Sequence, residues 1–371
     1  MIGSHAVYIR SKDGSIYKKA DDYVTLHMLM TLNDVGSWNI TSTAKEKCPF
    51  SAGDGIIDIR NGAFLYGGVV TQISDEFDAV TGLYNWSVQG KGDLEYLNRR
   101  LCYPQSQSAY YTESGYLSSV FCNLLNHNLG LNAPSERKEP IVKVKYTNIP
   151  DPPYVTIKLR YQNLLKSAVA IVTANGFNIK TGWDEAENKV VYEIYRGRDL
   201  TDSIVFTEQL NNIVASEYLA SIPEGNAVLV GGTGKGINRQ FASATNSNSI
   251  NQWGRIEYYQ DGRNDTAISD TANISVTEKS SDCIGYGCTA SNDDNAPQFG
   301  TDYKLGDLVG MKVHDQFVTA EVQQVEINVS NGIETVEPRF GTVAVGKFRN
   351  IFRQLADLRK DVDELLGTEI E

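Results

Sequence analysis

Positive charge is in short supply in this chain. Against 46 Asp and Glu stand 34 Lys and Arg, a formal net charge of -12 over 371 residues. Binding to a nucleic-acid backbone needs clustered cations that release counterions from phosphates, and this balance provides no such surplus. DNA that comes near should be repelled. Histidine is scarcer still: His5, His27, His127 and His314 are scattered, with no His-x-x-x-His pair of the kind that helical zinc hydrolases use. No Gly-x-Ser-x-Gly elbow exposes a serine nucleophile. No apolar run reaches the length of a membrane span. Met1 to Lys19 carries charges and β-branched residues where a secretory signal would be continuously apolar. The five cysteines, Cys48, Cys102, Cys122, Cys283 and Cys288, are odd in number and mostly far apart, which fits a chain made in a reducing cytoplasm. Cys283 and Cys288 lack a second ligand pair at a recognisable spacing, so plain thiols are expected in place of half a zinc site or a small disulfide.

What remains is globular in balance, 41% hydrophobic and 22% charged, with 20 Tyr and 32 Gly among many Thr and Asn. That is the palette of a strand-rich protein, long enough for two or three domains. Residues 1–101 read as strands joined by turns. Apolar residues alternate in Val24-Thr25-Leu26-His27-Met28-Leu29-Met30 and in Ile56-Ile57-Asp58-Ile59. Asn61-Gly62, between Gly55–Arg60 and Ala63–Ile73, supplies the positive φ angles of a tight hairpin turn. A strand over Tyr84–Gln89 follows, and Asp93 is placed to cap a short helix running to Leu101. Together these segments predict a small barrel or sandwich.

Residues 102–195 change period. Tyr116, Val120, Leu124 and Leu125 share one face of a helix capped by Thr112 and ending near Gly130. A charged, Pro-bearing connector, Asn132–Pro140, leads to a short strand, a turn at Pro150–Pro153 and a second helix from Tyr161 to Asn175, with Gly176 as its C-cap. Strands Phe177–Thr181 and Lys189–Tyr195 flank the turn Asp184–Asn188, so this middle region reads as α+β. Residues 196–345 return to strands, with candidates at Ser203–Thr207, Ala215–Ala220, Ala227–Gly231, Arg255–Tyr259, Leu308–Val313, Phe317–Asn328 and Ile333–Pro338. Ser280–Gly300, rich in Ser, Asn, Asp and Gly, reads as an exposed loop.

Few constellations suggest chemistry. Gly231-Gly232-Thr233-Gly234-Lys235-Gly236 follows a strand, but Leu229 and Gly236 stand where a phosphate loop needs Gly and a hydroxyl residue, so a turn is expected. Asp21-Asp22, Asp75-Glu76, Glu185 with Glu187, and Asp293-Asp294 read as solvated faces, because adjacency in sequence does not set the separation a glycosidase needs across a sugar bond. Ser291–Asn295 offers oxygen ligands for calcium but lacks the Gly and terminal Glu of an EF-hand loop. No catalytic, cofactor-binding or metal residue emerges, and no cofactor is expected. The sharpest signal is C-terminal: Phe348, Ile351, Leu355, Leu358, Val362 and Leu365 form a heptad seam within residues 346–371. An isolated helix of this size is marginal in water, so its stripe requires a partner surface, and these six residues are the candidate interface. Phe352 and Leu366 widen the stripe, which favours three or more helices, or packing on the protein's own body, over a two-stranded zipper.

Four segments occur in a telling order: Asn163–Asn175 leading to Gly176-Phe177; Val228-Leu229-Val230 with its Gly-rich turn and Arg239; Gly254-Arg255-Ile256-Glu257-Tyr258-Tyr259-Gln260-Asp261-Gly262-Arg263; and Asp302-Tyr303-Lys304-Leu305-Gly306-Asp307-Leu308-Val309. In these the chain resembles the tail-hub, or baseplate-hub, proteins of long-tailed bacteriophages, especially siphophages of Gram-positive bacteria. Gly55–Arg60, Asn61-Gly62 and Tyr66-Gly67-Gly68-Val69-Val70 are similar to that family's first barrel hairpin. The resemblance spans most of the chain, with Ser280–Gly300 the clearest departure.

The resemblance implies a mainly β fold, with two tail-tube-like β-barrel domains at 1–101 and 196–345 around an α+β middle domain at 102–195, and an amphipathic helix at 346–371. It implies a homotrimer at the virion tail tip, assembled in the host bacterial cytoplasm. Six barrels would form a pseudo-sixfold ring between a sixfold distal tail protein and a threefold fibre or spike. The ring would surround a channel for the tape-measure protein and DNA, which passes without specific binding past a surface of like charge. No membrane segment and no enzymatic activity are expected, since this chain stops soon after the second barrel, where some tail-hub proteins continue into a peptidoglycan-cleaving domain. The alternative is a receptor- or carbohydrate-binding tail-tip protein, motivated by the many Tyr and by Trp38, Trp86, Trp183 and Trp253. A β-rich hydrolase using Asp or Glu is the third reading.

Overall fold

Period-two alternation and turn residues that accept positive φ build the N-terminal region strand by strand. The computed structural model describes residues 4–340 apart from 264–267, 281–282, 292–295 and 314–315. Seven antiparallel strands come first: β1 (His5–Arg10), β2 (Ile16–Ala20), β3 (Thr25–Thr31), β4 (Ser37–Ala44), β5 (Gly55–Arg60), β6 (Ala63–Asp78) and β7 (Leu83–Gly92). In β3, Leu26, Met28 and Met30 are buried while His27 and Leu29 are partly open, as alternation requires. Asn61 and Gly62 take φ of 53° and 81° at the β5–β6 turn, as expected from their order. The Trp38 indole packs against β6 and β7, and a Cβ on Gly68 or Gly90 would run into it. A Cβ on Gly67 would meet the Asp93 carboxylate, so both glycines of Tyr66–Val70 are packing requirements.

The helix expected from Asp93 to Leu101 shrinks to α1 (Glu95–Asn98), and Asp93 does not cap it. Its carboxylate is buried against the Arg10 guanidinium, a charge partner that a capping position would have forfeited.

The middle region is α+β, with one revision. Residues read as the start of a helix form β8 (Tyr111–Tyr116), and α2 (Leu117–Asn128) begins only after it. Thr112 is a strand residue opposite Lys158, and Tyr116 is exposed opposite Tyr154. Then follow β9 (Val142–Val144), β10 (Tyr154–Leu159), α3 (Leu164–Thr173), β11 (Asn178–Asp184) and β12 (Lys189–Tyr195). Asn163 caps α3 by accepting from the Lys166 amide at 3.0 Å. Gly176, at φ 74°, ends it: its own amide donates to Thr173 O and that of Phe177 to Val172 O, both at 3.0 Å, the C-cap expected. Leu117, Phe121, Leu124 and Leu125 from α2 and Leu164, Ala168 and Val172 from α3 share one core with Val190, Tyr192 and Ile194 of β12.

The last third contains β13 (Val205–Phe206), β14 (Ile213–Ser221), β15 (Ala227–Gly231), β16 (Phe241–Thr245), α4 (Ser247–Trp253), β17 (Glu257–Asp261), α5 (Ile268–Lys279), β18 (Cys283–Ala290), β19 (Leu308–Val313), β20 (Gln316–Ser330) and β21 (Ile333–Phe340). Two helices thus interrupt what reads in sequence as strands alone. Among the described residues of α5 the buried apolar ones are Ala272 and Val276, set among Ser, Thr and Asn, too thin a stripe to announce a helix. The loop expected over Ser280–Gly300 is also revised. Cys283–Ala290 is a strand between β14 and β21, and Cys288, Ala290, Ala296 and Phe299 are buried. Small residues dominate that strand, with Ile284 and Tyr286 its large ones, too few for an alternating apolar pattern to mark it.

Hydrogen bonding joins the first and last thirds into one sheet of thirteen strands, in the order β14-β18-β21-β20-β3-β4-β7-β6-β5-β1-β2, with β19 branching from β20 and β13 pairing with β19. The junction is the antiparallel ladder between β3 and β20, from Thr31 opposite Gln324 to Thr25 opposite Ser330. The path is open: among the described residues no ladder closes either half into a barrel. One compact unit comprises Met1–Ser216 with Cys288–Phe340, and a second is built on Glu217–Gly287. In the second, β16-β15-β17 form a sheet with α5 on one face, around Val228, Val230, Ala272 and Val276.

Candidate assembly surface

The residues singled out as an interface, Phe348, Ile351, Leu355, Leu358, Val362 and Leu365, lie outside the described residues, as does most of Ser291–Asn295. No group of His, Cys, Asp and Glu among the described residues could hold a metal ion. Cys48, Cys102, Cys122 and Cys288 are free thiols, and burial pushes Cys122 up to about 11 and Cys288 higher still. Gly231–Gly236 is the connection from β15 to β16, as its failed phosphate-loop pattern indicates. Trp38 and Trp86 flank Phe50 in the core, each 6.2 Å from it, and cannot serve as sugar platforms. The Tyr303–Val309 element is a turn that opens β19: Tyr303 is fully buried against Phe206, and Asp307 accepts from the amides of Lys304 and Arg198 at 2.9 and 2.8 Å.

Two buried charge clusters hold the larger unit together. In the first, His5 Nδ1 sits 2.8 Å from Asp58 and its Nε2 3.0 Å from Glu334, while Arg60 donates to Glu334 at 2.9 Å and to the carbonyl of Phe299 at 2.5 Å. These groups come from β1, β5 and β21, strands near opposite ends of the sheet path, so side chains bridge where backbone ladders do not. Burial disfavours the His5 cation, but the hydrogen bonds to Asp58 and Glu334 outweigh it and raise His5 to about 9. Burial likewise opposes the Glu334 anion, yet His5 and Arg60 hold it down at about 2. Asp58 is raised, its burial exceeding the help from His5 and Arg60. The side chains of His5, Asp58 and Glu334 are 1%, 0% and 3% exposed, too enclosed to meet a substrate. The cluster is a clasp. In the second, Arg10 pairs with Asp93, donates to Gly68 O at 3.2 Å and lies 5.3 Å from the Trp183 ring, while Tyr192 donates to Asp93 O at 2.8 Å.

The open features are two ribbons of the larger unit. The outer half of β6, Thr71–Asp78, pairs with β7 alone, because β5 stops at Gly55 opposite Val69. This arm carries exposed Asp75, Glu76 and Phe77, and Phe77 packs against Tyr84 with centroids 4.9 Å apart and the rings tilted by 49°. Its turn is fixed by Asp78, which accepts from the Val80 amide at 2.8 Å and the Thr81 hydroxyl at 2.7 Å, leaving Val80 95% exposed. The second ribbon is β8 with β10, a sheet of two strands. Its outer face presents Tyr116 and Tyr154, with rings 6.0 Å apart, and Lys158, whose ammonium lies 4.2 Å over Tyr110. Arg160 continues this face, 5.8 Å from Tyr110 and 5.4 Å from Tyr161. Sequence pattern missed this face because Tyr116 falls in register with the buried positions of α2.

A mainly β chain whose N- and C-terminal strands share one sheet around an α+β region has the fold of phage tail proteins. Its structure is similar to the prophage MuSo2 43 kDa tail protein from Shewanella oneidensis, with TM-score 0.59 and 13% identity over 91% of this chain and 97% of that one. It is also similar to the tail protein from Neisseria meningitidis MC58, with TM-score 0.56 and 11% identity over 92% of this chain and 97% of that one. Among curated proteins no relative matches in sequence. Residues 6–342 match the family described as Siphovirus ReqiPepy6 Gp37-like protein, and the chain belongs to that family.

Proposed function

We propose that this protein is a structural tail-hub subunit: a homotrimer at the virion tail tip whose six sheet lobes, two per chain, form a pseudo-sixfold ring. The ring adapts a sixfold distal tail protein to a threefold fibre or spike and surrounds the channel for the tape-measure protein and DNA. The observation that carries this reading is the β3–β20 ladder, which ties the strand set of 1–101 to that of 196–345 in one chain, as a subunit contributing two coupled lobes requires. Each lobe acts as a tube-like barrel, and the His5–Asp58–Glu334 clasp joins the two lobes, linking β1 and β5 of the first to β21 of the second. The middle region 102–195 decorates the ring, and 346–371 forms the amphipathic helix that meets the neighbouring copies or the fibre.

The role is architectural, without catalysis. The formal net charge of -12 supports a lumen that DNA passes without adhering. A carbohydrate-binding role finds less support, with Trp38 and Trp86 in the core. The deciding experiment is native mass spectrometry of the intact chain, alone and with a distal tail protein. A trimer that binds the distal ring is expected, and a stable monomer with no affinity for it would overturn the reading. Among the described residues no helix is long and apolar enough to cross a membrane.

A further inference from the structure

We infer that the acidic arm of β6–β7 in one copy docks on the tyrosine-rich cationic face of β8–β10 in the next copy of this chain. The inference rests on the ring reading above and supplies its contact. On the arm, Asp75, Glu76 and Asp78 pair with no cation among the described residues, and Phe77 and Val80 project into solvent beside them. On the face, Lys158 and Arg160 pair with no carboxylate among the described residues, although the chain as a whole has a large acidic excess. Each cation lies over a tyrosine ring instead, which holds it in place without neutralising it. Tyr and Arg flanked by polar rim residues are the composition of interface centres. A half-paired arm with exposed Phe77 and an isolated two-stranded ribbon with exposed Tyr116 and Tyr154 are both surfaces that gain from being covered.

The occupant follows from complementarity. The two patches are opposite in charge, both carry exposed rings, and both belong to the same chain. Two different patches on one chain make a head-to-tail contact, and a ring of three is built from contacts of that kind, whereas a self-complementary patch gives only a twofold pair.

The test uses the full chain in three forms: D75K/E76K, K158E/R160E, and the quadruple variant that carries both pairs, with circular dichroism as a check on folding. Each double variant places like charges together and should raise the dissociation constant of the oligomer at least about a hundredfold, and the quadruple variant should restore it. If a double variant misfolds, the wild-type protein still decides. Its dissociation constant should rise about tenfold or more between roughly 0.05 and 0.5 M NaCl, and a flat response overturns the contact. A wild-type trimer that both double variants leave intact overturns the contact while the ring reading stands. A wild-type monomer at every concentration overturns both. Loss of polyphosphate binding in K158E/R160E with the trimer unchanged would assign the face to an anionic polymer and also overturn the contact.

Discussion

The larger unit and Glu217–Gly287 reach a fixed fold by different means. In the larger one, His5, Asp58, Arg60 and Glu334 form one buried cluster and Arg10 with Asp93 another, beside an extensive apolar core. In the smaller one, Val228, Val230, Ala272 and Val276 are the buried core, and Asp261 pairs with Arg239 and Arg263 in contact with solvent. The difference teaches which unit depends on polar geometry. A buried charge that loses its partner is left uncompensated, whereas an exposed one returns to water.

The largest expected effect is therefore Glu334→Ala, which leaves Arg60 without its carboxylate and His5 with Asp58 alone, and should cost about 3–5 kcal/mol in chemical denaturation. A change within a few tenths of the wild type would mean that the clasp does not hold β21 to β1 and β5. Next comes pH. His5 rises from 6.5 unfolded to about 9 folded, so its contribution is fully present below pH 6.5 and fades as pH climbs through 9. That rise is worth about 3 kcal/mol. Resistance of the wild type to denaturation should weaken across this window, and His5→Gln should flatten the profile there while leaving amides of β15–β17 unchanged in hydrogen exchange. Glu334 works in the opposite sense, contributing above its unfolded value of 4.5 and failing as pH falls through about 2. Smaller again is Val230→Ala, two buried methyl groups, at about 2 kcal/mol. With so small a core, exchange protection should drop throughout β15–β17 while the β3–β20 ladder keeps its own. Smallest is Asp261→Ala, for which no measurable change in unfolding is expected, and a clear loss would place the exposed pairs on a footing with the buried clasp.

Where local signals agree, the sequence was readable. The Asn61-Gly62 turn, the alternation of β3, the Gly176 cap, and strands Ala227–Gly231 and Leu308–Val313 all stand where pattern and turn chemistry put them. Where distant residues decide, it was not. Tyr116 has the spacing of a helix face with Val120 and Leu124, yet pairing with Tyr154 makes it a strand residue, and so the tyrosine face was hidden. Asp58 alternates with Ile57 and Ile59 as a solvent-facing residue would, but His5 and Glu334 supply polar partners from both ends of the chain. Strand Cys283–Ala290 has too few large apolar residues to be seen at all. Arg10 and Asp93, the second buried pair, stand 83 residues apart, and neither position carries a local mark of burial.

The central claim is a ring of three chains, each contributing two coupled lobes. Its most direct measurement is the mass of the intact, full-length protein under native conditions, alone and mixed with a distal tail protein. The account predicts three copies, and a complex of three with the sixfold ring. A single copy at every concentration, with no complex on mixing, would contradict it.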